Sequence, residues 1–361
     1  MLQSHAHSEP VDDVVDRVHE LAVHGALPAG LEWMPMDALA SRAPADRDAI
    51  ASWRAAPAII VDGREWTRPE WFAQACDWIR ASLGDTEVRA IVQVRAWMSS
   101  CVLRVTTARS EFYFKAVPES LRVEVAATAY LDRHRPGAVA PVVASEPDRR
   151  WLLMAGIPGT ILEHVADLAA WERAAAEYGA LQASCIARVD DLRALGCPTR
   201  PLEAIAAGLD SLNDDLPSSL RDRCVALAKL DVPLTLEHGD LWPGNFIVDG
   251  TTCALIDWED VAIGHPFVSL APFLAGLAEF QPARFSPAAV ERIQRAYLTG
   301  FAGGPPSPRL FEALRLAAPL AFVDMALRYR ALRASAVRLH PWMRDLVPYA
   351  IRLARLALAV S

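Results

Sequence analysis

Lysine is nearly absent from this sequence. Of 36 Lys plus Arg residues only Lys115 and Lys229 are lysine, so a retained lysine marks a position where arginine would not serve. A basic excess is missing as well. The 44 Asp plus Glu residues leave a formal net charge of -8, with a pI near 5.6, which argues against a nucleic-acid-binding surface and favours a small neutral or cationic partner. The six cysteines are scattered, with no CxxC pair and no Cys/His cluster at zinc spacing, as expected of reduced thiols. The first ten residues lack the apolar run of a secretory signal, and the expected location is the cytoplasm. Long apolar runs are missing too. The most apolar stretch, 261–278, is broken by His265, Pro266 and Pro272 and reads as buried core rather than a membrane span.

What remains is the composition of an ordinary folded enzyme: 361 residues, 53% hydrophobic and 22% charged. Apolar spacing predicts a helix over 12–24, inside an extension (1–66) of unreadable role. A second helix is predicted from Trp71, Phe72, Ala75, Trp78 and Ile79, with Thr67 and Glu70 as a capping box and Pro69 in the first turn. Beyond Gly84 the period shortens towards two, and 88–94, 101–106 and 111–117 read as successive antiparallel strands. A helix over 121–133 and strands over 139–144 and 151–154 follow. From Asp167 the chain is mostly helical, with one β segment between Leu234 and Asp257. The expected architecture is α+β and bilobal: a small antiparallel β-rich amino-terminal lobe (67–155) and a larger helical lobe (156–361).

The chemistry concentrates in that β segment. Phe246 to Val248 and Cys253 to Ile256 bracket Asp249-Gly250, a strong hairpin turn signal. A hairpin brings its outer ends together, so Asn245 and Asp257 are expected side by side, offering hard oxygen ligands of the kind Mg²⁺ takes beside phosphate. Asp240 lies on the same loop, and Pro243 and Gly244 bend the backbone between it and Asn245. In phosphoryl transfer the protein orients a nucleophile and neutralises charge, and Asp240 suits the first task. Singly, Asp240 and Asp257 read equally well as turn or cap residues, and Lys115 as an exposed strand residue between buried Phe112 and Phe114. The joint spacing is what favours the chemical reading.

His238-Gly-Asp240-Leu-Trp-Pro-Gly-Asn245, with Ile256-Asp257-Trp258 downstream, resembles the catalytic loop and metal motif of the aminoglycoside phosphotransferase and choline kinase-like family. The resemblance implies a protein-kinase-like fold and an ATP- and Mg²⁺-dependent transfer of the γ-phosphate to a small-molecule hydroxyl. It makes Asp240 the base, Asn245 and Asp257 the Mg²⁺ ligands, and His238 a structural member of the loop. Gly239, where protein kinases carry Arg, places the chain in the small-molecule branch. By the same resemblance Lys115 holds the nucleotide phosphates and Glu124 supports Lys115, while Met154, the Ala155 carbonyl and the Ile157 amide hold adenine.

Three features depart from that pattern. The phosphate turn Arg95-Ala-Trp-Met-Ser-Ser100 has no glycine, so Ser99 and Ser100 would supply its amides and hydroxyls. Gly264-His265-Pro266 and Ser269-Leu270-Ala271 stand where the family often has Gly-Asp-Pro and Asp-Leu-Ala. The extension before residue 66 is the third. These departures keep open a catalytically silent, kinase-like nucleotide-binding or scaffold protein. His265 reads as a structural histidine, and Arg328, Tyr329 and Trp342 as substrate pocket or as core and solvated face.

Overall fold

The computed structural model describes residues 64–68, 70–96, 99–212, 216–250, 252–274, 285–335 and 346–360. The helix expected over 12–24 and Trp342 lie outside the described residues. The chain divides into two compact units, one running to Arg122 together with Val142–Gly156, the other comprising Val123–Pro141 and Ile157–Ser361.

The first unit is a helix on a five-stranded sheet. Helix α1 (Trp71–Leu83) faces strands β1 (Val88–Ala96), β2 (Cys101–Thr107), β3 (Glu111–Ala116), β4 (Val142–Glu146) and β5 (Trp151–Ala155), in the order β1-β2-β3-β5-β4. Every neighbouring pair is antiparallel. Trp71, Ile79, Leu103, Phe114, Trp151 and Leu153 form its core. The rings of Trp71, Trp78, Phe114 and Trp151 meet tilted or edge-on, with centroids 5.5 to 6.3 Å apart, the geometry aromatic quadrupoles favour.

Two expectations shift in detail. The capping box does not form: Thr67 ends a 3-10 turn (Glu65–Thr67), and Glu70 is the residue preceding α1, with no side-chain cap bond. Glu65 is drawn instead to Arg150, 2.6 Å away, a tertiary pull that local spacing does not reveal. The strand expected over 139–144 begins at Val142, because Pro141 has no N–H to give a ladder. Val139 makes a separate bridge to Leu255.

In the second unit, α2 (Val123–His134), α3 (Leu168–Cys185), α4 (Val189–Ala194), α5 (Leu202–Gly208), α6 (Ser219–Ala228), α7 (Pro287–Ala302), α8 (Pro308–Ser335) and α9 (Leu346–Val360) accompany two three-stranded sheets. Asp167 caps α3 through the Ala169 amide, and Ser286 caps α7 through the Ala289 amide, with Pro287 in the first turn. Helices α3 and α7 touch backbone to backbone. A Cβ on Gly179 would lie 2.3 Å from the Tyr297 carbonyl, and one on Gly300 2.0 Å from that of Ala176.

The first small sheet contains β6 (Thr160–Ile161), β9 (Phe246–Asp249) and β10 (Thr252–Leu255), and the second β7 (Thr199–Arg200), β8 (Thr235–Glu237) and β11 (Ala262–Gly264). The sequence showed only the hairpin of these; the two- and three-residue strands are too short to carry a period. The described part of the apolar stretch, 261–274, is core: Val261, Ile263, Phe267, Leu270 and Phe273 are all buried. Among the described residues no helix is long and apolar enough to cross a membrane.

Candidate active site

Strand β8 delivers the chain into the site. His238 follows it, fully buried, with its backbone N–H donating to the Tyr178 hydroxyl at 3.1 Å. Its Nε2 lies 3.0 Å from the Ile256 carbonyl, and since a carbonyl only accepts, Nε2 carries the proton. Stacked at 4.5 Å on Trp258, His238 ties the loop to the end of the hairpin.

Gly239 then turns at φ +82°, where a Cβ would meet the Asp260 carbonyl at 2.2 Å. Only glycine fits there. Asp240 comes next. The Asn245 side-chain amide donates to the Asp240 carbonyl at 2.9 Å and reaches its carboxylate at 3.4 Å, which leaves Asn245 Oδ1 as the atom able to ligate a cation.

The hairpin forms as expected, with Phe246 opposite Leu255. The Ile256 amide donates to the Asn245 carbonyl at 3.0 Å, so the ladder ends one residue short of Asp257. Asp257 adopts φ +67°, a left-handed conformation uncommon for a non-glycine residue and concentrated at functional sites.

The carboxylates of Asp257, Glu124 and Glu259 lie within 4.8 Å of one another. With the Asn245 oxygen they make a set of hard ligands that fits Mg²⁺. Glu259 was missed by sequence reading; lying two residues beyond Asp257 in an acidic Trp-Glu-Asp run, it carried no signal of its own. Glu124 was expected beside Lys115, and here its carboxylate joins the Asp257 group.

Burial drives the electrostatics of Asp240. It raises the carboxyl pKa from 3.8 to about 6, with Asp260 and Asp257 pushing the same way and Arg328 and Asn245 pulling it down. The Tyr329 hydroxyl is raised to about 12, first by burial and then by the charge of Asp240. Arg328 donates to Asp260 at 2.7 Å and to Asp324 at 2.9 Å. Burial disfavours its charge, but Asp260 and Asp324 more than offset that, and the guanidinium is held protonated more firmly than usual. Of the three residues left open between pocket and core, Arg328 and Tyr329 therefore sit at the site.

The departures in the second motif also have a structural answer. His265 is buried and uncharged, its pKa lowered to about 4 by burial, with Nδ1 accepting from the Phe267 amide at 3.3 Å. The Ser269 hydroxyl donates to Glu237, the last residue of β8, and Gln182 Nε2 donates to the same carboxyl at 3.0 Å. A buried carboxyl thus braces the catalytic strand from position 237 rather than from 265 or 269.

In the first unit, Lys115 stands on the central strand β3, opposite Val102 and Leu152, and is only 6% exposed. It is therefore not the exposed strand residue of the bland reading. Ser99 and Ser100 follow β1; Ser100 is fully buried and its hydroxyl has no hydrogen-bond partner among the described residues. Met154 and Ala155 end β5, opposite Tyr113 and Phe112. Ile157 begins the second unit.

A family model described as the phosphotransferase enzyme family matches residues 90–311, more than half of the sequence. The chain belongs to the phosphotransferase enzyme family. No match is found among curated proteins. Among solved structures it resembles the choline kinase LicA from Streptococcus pneumoniae, at 17% identity over 81% of this chain and 100% of that one, with a TM-score of 0.56. It also resembles a choline/ethanolamine kinase family protein from Mesorhizobium loti, at 16% identity over 79% and 95%, TM-score 0.53. A third is the amicoumacin kinase hAmiN, solved with AMP-PNP, Ca²⁺ and Ami, at 15% identity over 80% and 93%, TM-score 0.53. At such identities the likeness speaks for the fold, which is the α+β protein-kinase-like fold expected of this phosphotransferase.

Proposed function

We propose that this phosphotransferase is a small-molecule kinase that moves the γ-phosphate of ATP, in the presence of Mg²⁺, onto an alcohol hydroxyl of a metabolite or an aminoglycoside-like antibiotic. The observation that carries the reading is the arrangement around the hairpin: Asp240 in contact with Asn245, and the Asp257 carboxylate grouped with Glu124 and Glu259. Asp240 orients the acceptor hydroxyl and takes its proton as the oxygen attacks the phosphorus. Asn245 and Asp257, joined by Glu259 and Glu124, would hold Mg²⁺, which when bound neutralises charge on the phosphate oxygens.

On this reading Lys115, Ser99, Ser100, Met154 and Ala155 of the first unit, and Ile157 of the second, are nucleotide contacts. The functional division is the one the sequence suggested, with 67–155 serving the nucleotide and 156–361 carrying the catalytic loop and the acceptor site. The silent-scaffold reading draws support from the glycine-free turn before β2. Against it stand a buried lysine on the central strand and a carboxylate held near pH 6 at the catalytic position.

A screen of hydroxyl compounds with Mg²⁺ and ATP, read by mass, tests the proposal. A mass increase of one phosphoryl group on an acceptor, with matching ADP release, is expected. ATP binding with no modified compound and no acceptor-dependent ADP would favour the silent reading.

A further inference from the structure

The turn carrying Asp240 is not held by close packing on its inner side. Gly239 borders a cavity of about 10 Å³, room for a single water, which is also lined by Arg200, Glu237, Ser269 and Arg328. What fixes Gly239 is Asp260, whose carbonyl and Cβ would lie 2.2 and 2.6 Å from a Cβ at that position. Asp260 in turn is gripped from helix α8. Arg328 Nη1 reaches its carboxylate at 2.7 Å, while Nε of the same guanidinium reaches Asp324, one helical turn earlier, at 2.9 Å.

This clamp has the marks of a rigid device. The Arg328 and Asp324 side chains are only 13% and 10% exposed, so water screens the pair little. Two carboxylates held by the two edges of one planar guanidinium leave it a single orientation, which lysine could not reproduce. The helix that presents it is anchored by Leu320, Val323 and Ala326, all fully buried. Arg200, on β7, lies 3.9 Å from the other Asp260 oxygen and adds a weaker hold.

We propose that Arg328 is a positioning residue for catalysis: through Asp260 it fixes the Gly239 turn, and with it the direction in which the Asp240 carboxylate meets the acceptor hydroxyl. The inference rests on the phosphotransfer reading, with Asp240 as base. Misplacing a reacting group by about 1 Å costs on the order of a hundredfold in rate. Loss of the clamp therefore acts on turnover rather than on nucleotide affinity.

The test is steady-state ADP release by the full chain, using MgATP and the acceptor found by the mass screen, with melting curves recorded in parallel. Arg328→Met is expected to lower kcat by about a hundredfold while KM for MgATP stays within about twofold. Arg328→Lys should recover part of that loss. Asp260→Asn should reproduce it, and the double variant should be little worse than either single one, because the two side chains act as a unit. Arg295→Met, which removes an exposed arginine paired with Glu291, is the control and should turn over like wild type.

Should Arg328→Met fail to fold, Arg328→Lys and Asp260→Asn, which nearly keep side-chain size, carry the test. A wild-type kcat in folded Asp260→Asn, or a fully additive double variant, would overturn the proposal. If Asp240→Asn is inactive but Arg328→Met keeps wild-type kcat, the phosphotransfer reading stands and the positioning role alone is lost. If Asp240→Asn turns over like wild type, the reading itself fails and the positioning role falls with it.

Discussion

Asp240 pays for its role in stability, and the sign of the effect can be worked out. Its carboxyl titrates near 3.8 when unfolded and near 6 in the fold. The native state therefore binds the proton more tightly, and stability falls as pH rises from about 4 to about 6. Above that range the ionised group costs the fold roughly 3 kcal/mol. Asp240→Asn is thus expected to melt at a higher temperature than wild type at pH 8, with the advantage shrinking at pH 5, as calorimetry can check. Turnover runs the other way, since only the ionised form accepts a proton: the rate should fall as pH drops through about 6. Glu259 makes a separate case. If its carboxylate shares the cation with Asp257, Glu259→Gln should raise the Mg²⁺ concentration for half-maximal turnover by roughly tenfold, and an unchanged Mg²⁺ titration would remove it from the ligand set.

At the scale of elements, Gly239 and Gly250 separate two uses of glycine. Both adopt positive φ, but a Cβ on Gly250 meets open space whereas one on Gly239 strikes the Asp260 backbone. Gly250→Ala should cost about 1 kcal/mol of stability and leave turnover intact. Gly239→Ala should cost more than the roughly 1–3 kcal/mol of a strained backbone alone, and should abolish turnover. Melting curves and ADP release on the pair check both. The hairpin holding Gly250 was legible in the sequence because its signal is local: two apolar strands and an Asp-Gly turn. The motif spacing around it likewise located Asp240, Asn245 and Asp257. Other features were hidden because their causes are tertiary. Arg328 meets Asp260 across 68 residues of sequence, and no local pattern marks that pairing. Glu65 leaves the capping box for Arg150 across 85 residues, and β7 and β11 exist only because each is paired with a neighbour.

At the scale of the whole molecule, scarcity becomes an experimental handle. Lys115 is buried in the first unit and Lys229 is exposed in the second, and no other lysine competes with them. An amine-directed acylating reagent should therefore modify Lys229 quickly and Lys115 slowly, with MgATP slowing Lys115 further and leaving Lys229 unaffected. Peptide mapping resolves the two, and equal protection of both would count against the nucleotide role of Lys115. All six cysteines are buried and reduced, so thiol titration should be slow in the native protein and complete in denaturant. The family match and the kinase-like fold account for the chemistry of transfer, while the acceptor is read by side chains such as Tyr329 that come together only in the folded second unit.

The most direct measurement compares wild type with Asp240→Asn at saturating MgATP and acceptor. The rate should fall by about a hundredfold to ten-thousandfold, with calorimetric affinity for MgATP unchanged within about twofold. Equal rates in the two proteins would contradict the assignment of Asp240 as the group that receives the acceptor's proton.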